Sequence, residues 1–290
     1  MATLKTIRRR ITSVNSTQQI TRAMKLVSAA KLRRAQEALL NARPYAETLA
    51  RVAGSLLETE RTALAPAEGA AAVALIVVVG SDRGLNGSYN ANLMRNAEQT
   101  ARQLRVAGLA PEFFAVGRKA LDHFRRTRQT VAGERINNTP RLATIGLARE
   151  LADRILAEYR GGQISEAGIV YSRFRSALSQ VPTYERILPI KEPEQKGEQA
   201  GQPTLEYLIE PSRAELVPIV LQSYVQYAIF HALLEAEASE HSARMTAMDA
   251  ATNNASDMIA TLTLEMNRAR QATITRELMD IVGGAEALRG

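Results

Sequence analysis

Between Glu215 and Ile281 the chain carries a single proline, Pro218, and its next glycine is Gly283. Nothing there stops a helix of about 65 residues, which at about 1.5 Å per residue would extend roughly 100 Å. A helix of that length exceeds what a globular domain needs, and it is stable only if its apolar stripe is covered. Met245, Met248, Thr252, Ala255, Ile259, Leu262, Met266 and Ala269 follow a strict three-four alternation, the seam of a coiled coil. A tight zipper would place Leu or Ile at most of these positions. Met, Thr and Ala instead predict a loosely packed helix pair with much of its surface offered to a third party, and an ordinary helical bundle is the alternative.

The partner helix is at the other end of the chain. Apolar residues recur at helical spacing through Leu4, Ile7, Ile11 and Val14, then Ile20, Met24 and Val27, then Leu32, Ala35 and Leu39, and after Pro44 through Leu49, Val52 and Leu56. One long helix, kinked near Pro44, is the economical reading. From Met1 to Gln36 the segment holds nine cations (Lys5, Arg8, Arg9, Arg10, Arg22, Lys25, Lys31, Arg33, Arg34) and no Asp or Glu, in a chain of net charge +7. An acidic partner should face it. An acid-free amphipathic start also suits an organelle transit peptide, but the helical pattern continues unbroken downstream, which argues against a removable leader.

Between these helices, residues 72–190 change character. "VALIVVVG" reads as a buried strand and "NANLMRNAEQTARQL" as the helix after it; "PEFFAVGRKALDHFRRT" repeats that order. "TIGLARELADRILAEYRGG" is an amphipathic helix with a glycine stop, and "EAGIVYSRF" and "VPTYERILPI" are two more strands. The pattern predicts a small α/β domain with a largely parallel sheet, inserted between two helices that pair with each other. Residues 191–203, rich in charge, Pro, Gly and Gln, read as a loop. The expected division is a coiled-coil helix over 1–62, the α/β domain over 72–190, a flexible loop and foot segment over 191–208, and the second coiled-coil helix over 209–290.

With no cysteine, disulfides and thiolate metal sites are excluded, and His123, His231 and His241 lack zinc-type spacing. Neither a metal nor a cofactor is expected. The longest uninterrupted apolar run, Ala70 to Gly80, is too short for a bilayer, which needs about 20 residues. The glycine-rich loop "GSDRGLNGS" after the first strand invites a phosphate-binding reading. It has no Lys for a Walker loop, and its glycines at 80, 84 and 87 miss the dinucleotide spacing. A strand-to-helix turn with Asp82 capping locally is the better reading. No nucleophile, base and orienting acid stand out elsewhere.

The segments "ITRAMKLVSAAKLRRAQ", "SDRGLNGSYN", "EYLIEP", "EHSARMTAMDAATNNASDMI" and "NRARQATITRELMDIVGGAEAL", in that order over nearly the whole chain, resemble the gamma subunit of F-type ATP synthases. The resemblance implies an antiparallel coiled coil of the terminal helices with an inserted Rossmann-like α/β domain. It implies a rotor inside a hexamer of alpha and beta subunits, with the epsilon subunit and the c-subunit ring at its foot and no catalytic site of its own. Residue by residue, Arg22, Met24 and Lys25 match the part of the N-terminal helix that passes an acidic loop of beta. Arg244, Arg270, Gln271, Thr275 and Glu277 match positions that meet the beta catch loops or pair with the N-terminal helix, and Tyr207 matches the foot near the c ring. The absence of cysteine departs from the plastid form with its thiol switch, so a bacterial origin is implied, and with it a peripheral place on the cytoplasmic face of the inner membrane. Two rival classes are a nucleotide-binding enzyme using the loop at Gly80–Ser88 and a basic coiled-coil nucleic-acid binder.

Overall fold

The computed structural model describes residues 4–57, 66–67, 69–136, 142–190 and 212–287. Two long helices, α1 (Leu4–Leu57) and α5 (Arg213–Ala287), bracket an α/β segment. That segment runs β1 (Val73–Val79), α2 (Tyr89–Val106), β2 (Ala110–Val116), α3 (Arg118–Arg126), β3 (Val131–Arg135), α4 (Ile145–Arg160), β4 (Glu166–Phe174) and β5 (Gln180–Leu188). The chain divides into two compact units, a helix pair from Met1–Ser28 with Arg244–Gly290, and a sheet unit from Ala29–Ala243. The architecture expected from the pattern is present: long terminal helices and a central sheet.

In the sheet unit the strand order is β3-β2-β1-β4-β5, parallel except for β5, which runs antiparallel to β4. β1 is buried on both faces, as its unbroken Val, Leu and Ile run demands. Ala74, Ile76 and Val78 meet Leu93, Met94 and Ala97 of α2 and Leu121 and Phe124 of α3. Leu75, Val77 and Val79 point the other way, into a cluster with Leu151 and Ile155 of α4 and Leu221, Val225, Ile229 and Leu233 of α5. The pattern missed β3. It is a short edge strand, half-buried or exposed throughout, so it lacks the continuous apolar run that marks the central strands.

α5 is long and apolar enough to cross a membrane by length and composition alone, although no uninterrupted apolar run in the sequence is that long. Packing accounts for that character, because Val217, Leu221, Val225, Ile229, Leu233 and Ala236 form one buried stripe. α1 leans on the same helix within this unit: the Tyr227 hydroxyl donates to the carbonyl of Ala42 at 3.2 Å, the Tyr45 and Tyr227 rings sit 5.4 Å apart, and Ala53 packs on Val217. Pro44 and Pro218 lie inside helices that run through them. Each removes one backbone donor without ending its helix.

Gly117 is a position that only glycine fits. Its φ is +92°, and a Cβ there would run into the carbonyl oxygen of Gly80, where β1 and β2 end side by side. Gly117→Ala should lose about 1–3 kcal/mol through backbone strain and clash. Gly84→Ala, whose Cβ would meet nothing within 4 Å, should stay within about 0.5 kcal/mol of the parent. Urea unfolding of the two variants measures the difference, and equal midpoints would show that the Gly80–Gly117 approach is not required.

Candidate partner interface on the paired helices

In the helix-pair unit α1 and α5 run antiparallel, and their inward positions form one continuous seam. On α5 Met248, Ala255 and Leu262 are buried and Met245, Thr252, Ile259, Met266 and Ala269 are half-buried, the residues that the three-four spacing selects. On α1 the seam departs from the expectation. After Leu4, Ile7, Ile11 and Val14 it continues in the same spacing through Gln18, Thr21, Lys25 and Ser28, so the inner face turns polar. The apolar residues read from sequence as its continuation, Ile20 and Val27, are 60% and 57% exposed. Heptad spacing, which keeps the two helices in contact, sets this stretch of the inner face against its hydrophobicity.

Polar groups bridge this stretch. Gln18 Nε2 donates to Ser256 Oγ at 2.6 Å, the Thr21 and Thr252 hydroxyls meet at 2.8 Å, and Lys25 Nζ donates to Asp249 Oδ1 at 2.6 Å. Lys25 is therefore occupied within the chain. Thr252 lies on the seam that the three-four spacing selects; Asp249 and Ser256 carry no such signal, and Gln18, Thr21 and Lys25 fall on the spacing of Leu4 to Val14.

The other sequence-selected residues fall at two stations. Arg22 is exposed and Met24 half-buried on α1, beside the bridged layers, and Arg244 is half-buried on α5 five residues before Asp249. Arg270, Gln271, Thr275 and Glu277 are exposed on α5, beginning about 30 Å of helix beyond Asp249, so the structure does not gather all of these residues into one site. There the Thr275 hydroxyl donates to the carbonyl of Gln271 at 3.0 Å. From Ile274 to Ala285 every α5 residue is exposed, including Ile274, Leu278, Met279, Ile281 and Val282. Tyr207 lies outside the described residues. Arg8, Arg9, Arg10 and Arg22 are exposed and, among the described residues, have no carboxylate at ion-pair distance; of the acid-free segment's cations, Lys25 pairs with Asp249 and Arg33 with Glu37. The helix pair thus exposes basic residues on one helix and an apolar end on the other.

The second candidate site is in the sheet unit, at the carboxyl ends of the parallel strands β1 and β4, where the strand order reverses, β2 lying on one side of β1 and β4 on the other. In open α/β sheets this crevice binds ligands. Here α5 crosses it. Tyr89 donates its hydroxyl to the carbonyl of Ala236 at 3.4 Å, Ser239 donates to the carbonyl of Ser172 at 2.7 Å, and Glu235 accepts from the amide of Phe174. Ala236, Ser239 and Ser242 are fully buried. Nearby, burial pushes the Tyr171 phenol well above its usual range, with Glu185 adding to the rise, and the hydroxyl donates to Glu185 at 2.8 Å. The glycine-rich loop closes on itself: Asn86 and Asn90 both donate to Ser81 Oγ, at 3.0 and 2.8 Å, and Ser81 donates to the carbonyl of Arg83 at 2.7 Å. Asp82 is a cap, but not a local one. Its Oδ1 accepts from the amide of Arg118 at 2.9 Å, closing the first turn of α3 thirty-six residues away, because β1 and β2 end side by side.

A family model described as ATP synthase matches residues 3–288 of this chain. The ATP synthase gamma chain of Moorella thermoacetica is 45% identical over 293 residues, covering all of both chains. The chain belongs to the ATP synthase gamma chain family. Another member, from Pelotomaculum thermopropionicum, is also 45% identical over 291 residues, 99% of this chain and all of that one. Among solved structures, a chain of the Euglena gracilis mitochondrial ATP synthase, in an OSCP/F1/c-ring assembly in rotational state 3, superposes with a TM-score of 0.68 at 20% identity, covering 98% of this chain and 94% of that one. A chain of the Tetrahymena thermophila mitochondrial ATP synthase central stalk and c ring gives 0.60 at 22% identity over 80% and 99%. At that identity the likeness is one of fold.

The seam assignment carries a direct test. Leu262, 8% exposed, should lose about 2–3 kcal/mol on substitution by Ala, whereas Leu264→Ala, at a side chain 61% exposed, should lose less than about 1 kcal/mol. Thermal unfolding followed by the helical signal separates the two. Equal losses would mean that α5 faces its partner on another side.

Proposed function

We propose that this chain is the central-stalk rotor of an F-type ATP synthase, coupling proton-driven rotation of the c-subunit ring to conformational change at the catalytic beta subunits, with no catalytic site of its own. The observation that carries the reading is full-length membership of the gamma chain family together with a helix pair that buries a seam and leaves a basic face and an apolar end exposed. In this reading residues 1–62 and 209–290 make the shaft and 72–190 the foot, joined through 191–208. The partners are the alpha and beta subunits around the shaft and the epsilon subunit and c ring at the foot. The chain works at the cytoplasmic face of a bacterial inner membrane, attached through its partners.

The physics of such a rotor is differential binding. A ligand shifts an equilibrium only by the difference in its affinity for the two states, and an asymmetric shaft presents different faces to three chemically identical neighbours. Arg22 and Met24 are assigned to contact an acidic loop of beta, and Arg244, Arg270, Gln271, Thr275 and Glu277 to the catch loops; Tyr207 is assigned to the foot. Exposed cations suit a contact that must form and break at each step, since such pairs are worth only about 0–1 kcal/mol each. Against a nucleotide enzyme stands the crevice, which α5 occupies with Ala236 and Ser239. The nucleic-acid reading would need the basic face without a protein partner, and the family gives it one.

The test combines assembly with coupling. The purified chain should neither hydrolyse nor tightly bind ATP, and it should co-purify with a catalytic hexamer. Reversing Arg8, Arg9 and Arg10 together to Glu should lower ATP-driven proton pumping by about tenfold, since weak exposed contacts add within a patch. Pumping is read from acidification of inverted membrane vesicles. Parental pumping by the triple variant would remove the basic face from the mechanism, and hydrolysis by the isolated chain would overturn the non-catalytic role.

A further inference from the structure

The polar stretch of the seam does something that apolar packing does not. Hydrophobic contact is non-directional, so a seam of Met and Ala tolerates small rotations of one helix against the other. Hydrogen bonds are short and angular, and weaken steeply when bent. The layers Gln18–Ser256, Thr21–Thr252 and Lys25–Asp249 put three such links, at 2.6, 2.8 and 2.6 Å, on successive turns of the pair. Each joins α1 to α5 through side chains alone. The single Thr252 hydroxyl proton has two acceptors in reach, Thr21 Oγ1 at 2.8 Å across the pair and the carbonyl of Met248 at 2.7 Å on its own helix, and the Thr21 hydroxyl likewise has the carbonyl of Gln18 at 3.0 Å, so this layer shares its protons between the helices and the cross-link. Lys25 and Asp249 are 40% and 47% exposed, so the pair adds little stability for its charge. What it does supply is a fixed partner: a one-heptad slip would leave Lys25 opposite Ser256 and take Asp249 away from its cation.

We propose that Gln18, Thr21 and Lys25 are positioning residues, clamping α1 to α5 at one azimuth through Ser256, Thr252 and Asp249 so that the two helices turn as one body and Arg22 and Met24 keep a fixed direction. This rests on the rotor reading above and changes it in one respect: Lys25 acts inside the shaft, through Asp249, and not on the beta subunit. The clamp lies where the seam has lost its apolar knobs, between the apolar layers of Leu4 to Val14 and the buried Leu32 and Ala35. A polar layer inside a coiled coil specifies geometry at a cost in stability.

The discriminating variant replaces all three links by apolar residues of similar size, with Gln18→Met, Thr21→Val and Lys25→Met joined to Ser256→Ala, Thr252→Val and Asp249→Leu. If the residues served only to hold the fold, this chain would behave like the parent or melt higher. The clamp predicts a melting point equal or higher together with loss of azimuth. Spin labels on cysteines placed at the exposed Ala23 and Asn254 of the full chain read that azimuth directly. Their distance distribution should be narrow in the parent and broader in the apolar variant. In the assembled complex, protons pumped per ATP hydrolysed should fall by at least about twofold, the smallest effect expected of a change in coupling between distant sites. The charge exchange Lys25→Asp with Asp249→Lys should restore pumping that either single reversal lowers. An unchanged distribution overturns the clamp, and so does a broadened one with parental pumping or a charge exchange without rescue. If the parent chain fails to co-purify with the hexamer, the rotor reading fails by itself, and the spin-label widths still decide the clamp.

Discussion

A helix as long as α5 depends on finding cover for one stripe along its length, because propensity alone cannot hold 75 residues against fraying at every exposed turn. α5 does so twice. From Leu221 to Ala236 its stripe advances at close to the spacing of a straight helix and lies in the core with β1, β4 and α4. From Met245 to Thr273 the stripe steps by threes and fours in heptads and faces α1. The change of period is the change of partner: a sheet core accepts a straight helix, whereas a second helix requires the shorter repeat that keeps a seam aligned. Beyond Thr273 the cover ends, and the apolar side chains of Ile274, Leu278 and Ile281 are left to water or to a partner.

The same constraint explains why a sheet with the connectivity of a ligand-binding domain holds its crevice closed. In such folds the carboxyl ends of the strands are open because the flanking helices pack on the faces of the sheet. Here one of those helices is much longer than the sheet is deep, and it carries small residues, Ala236, Ser239 and Ser242, where it crosses the strand ends. The hydroxyls of Ser239 and Ser242 satisfy the carbonyls of Ser172 and Ala177 that a ligand would otherwise have to reach. The glycine-rich loop beside them is a structural knot: Ser81, Asn86 and Asn90 use one another as partners, and Asp82 serves α3.

Stability and geometry are assigned to different parts of the helix pair. Ile7, Ala255 and Leu262 exclude water, and the bridged layers between Gln18 and Lys25 fix direction. A seam of Leu alone would be more stable and less particular, since apolar side chains repack at low cost while an amide or ammonium without its acceptor does not. For a shaft that transmits rotation, being particular is the useful property.

The sequence by itself determined the elements whose signals are local. The glycine-free run, the heptads of α5, the apolar strands β1, β2 and β4 and the wrong glycine spacing of the loop can each be read from neighbours along the chain, because period and turn chemistry are properties of a single segment. The family resemblance was legible for the same reason, being carried by contiguous motifs. Tertiary structure alone decided what depends on residues far apart. β3 exists because β2 offers it an edge, not because Val131–Arg135 is apolar. Asp82 finds Arg118 because β1 and β2 end together, and Lys25 is spoken for because Asp249 stands 224 residues away at the same level of the pair. Ile20 and Val27 were misread inward since hydrophobicity is a tendency, while the seam is set by the spacing that keeps two helices in contact; where the two disagree, contact geometry wins, and polar residues with partners take the inner face.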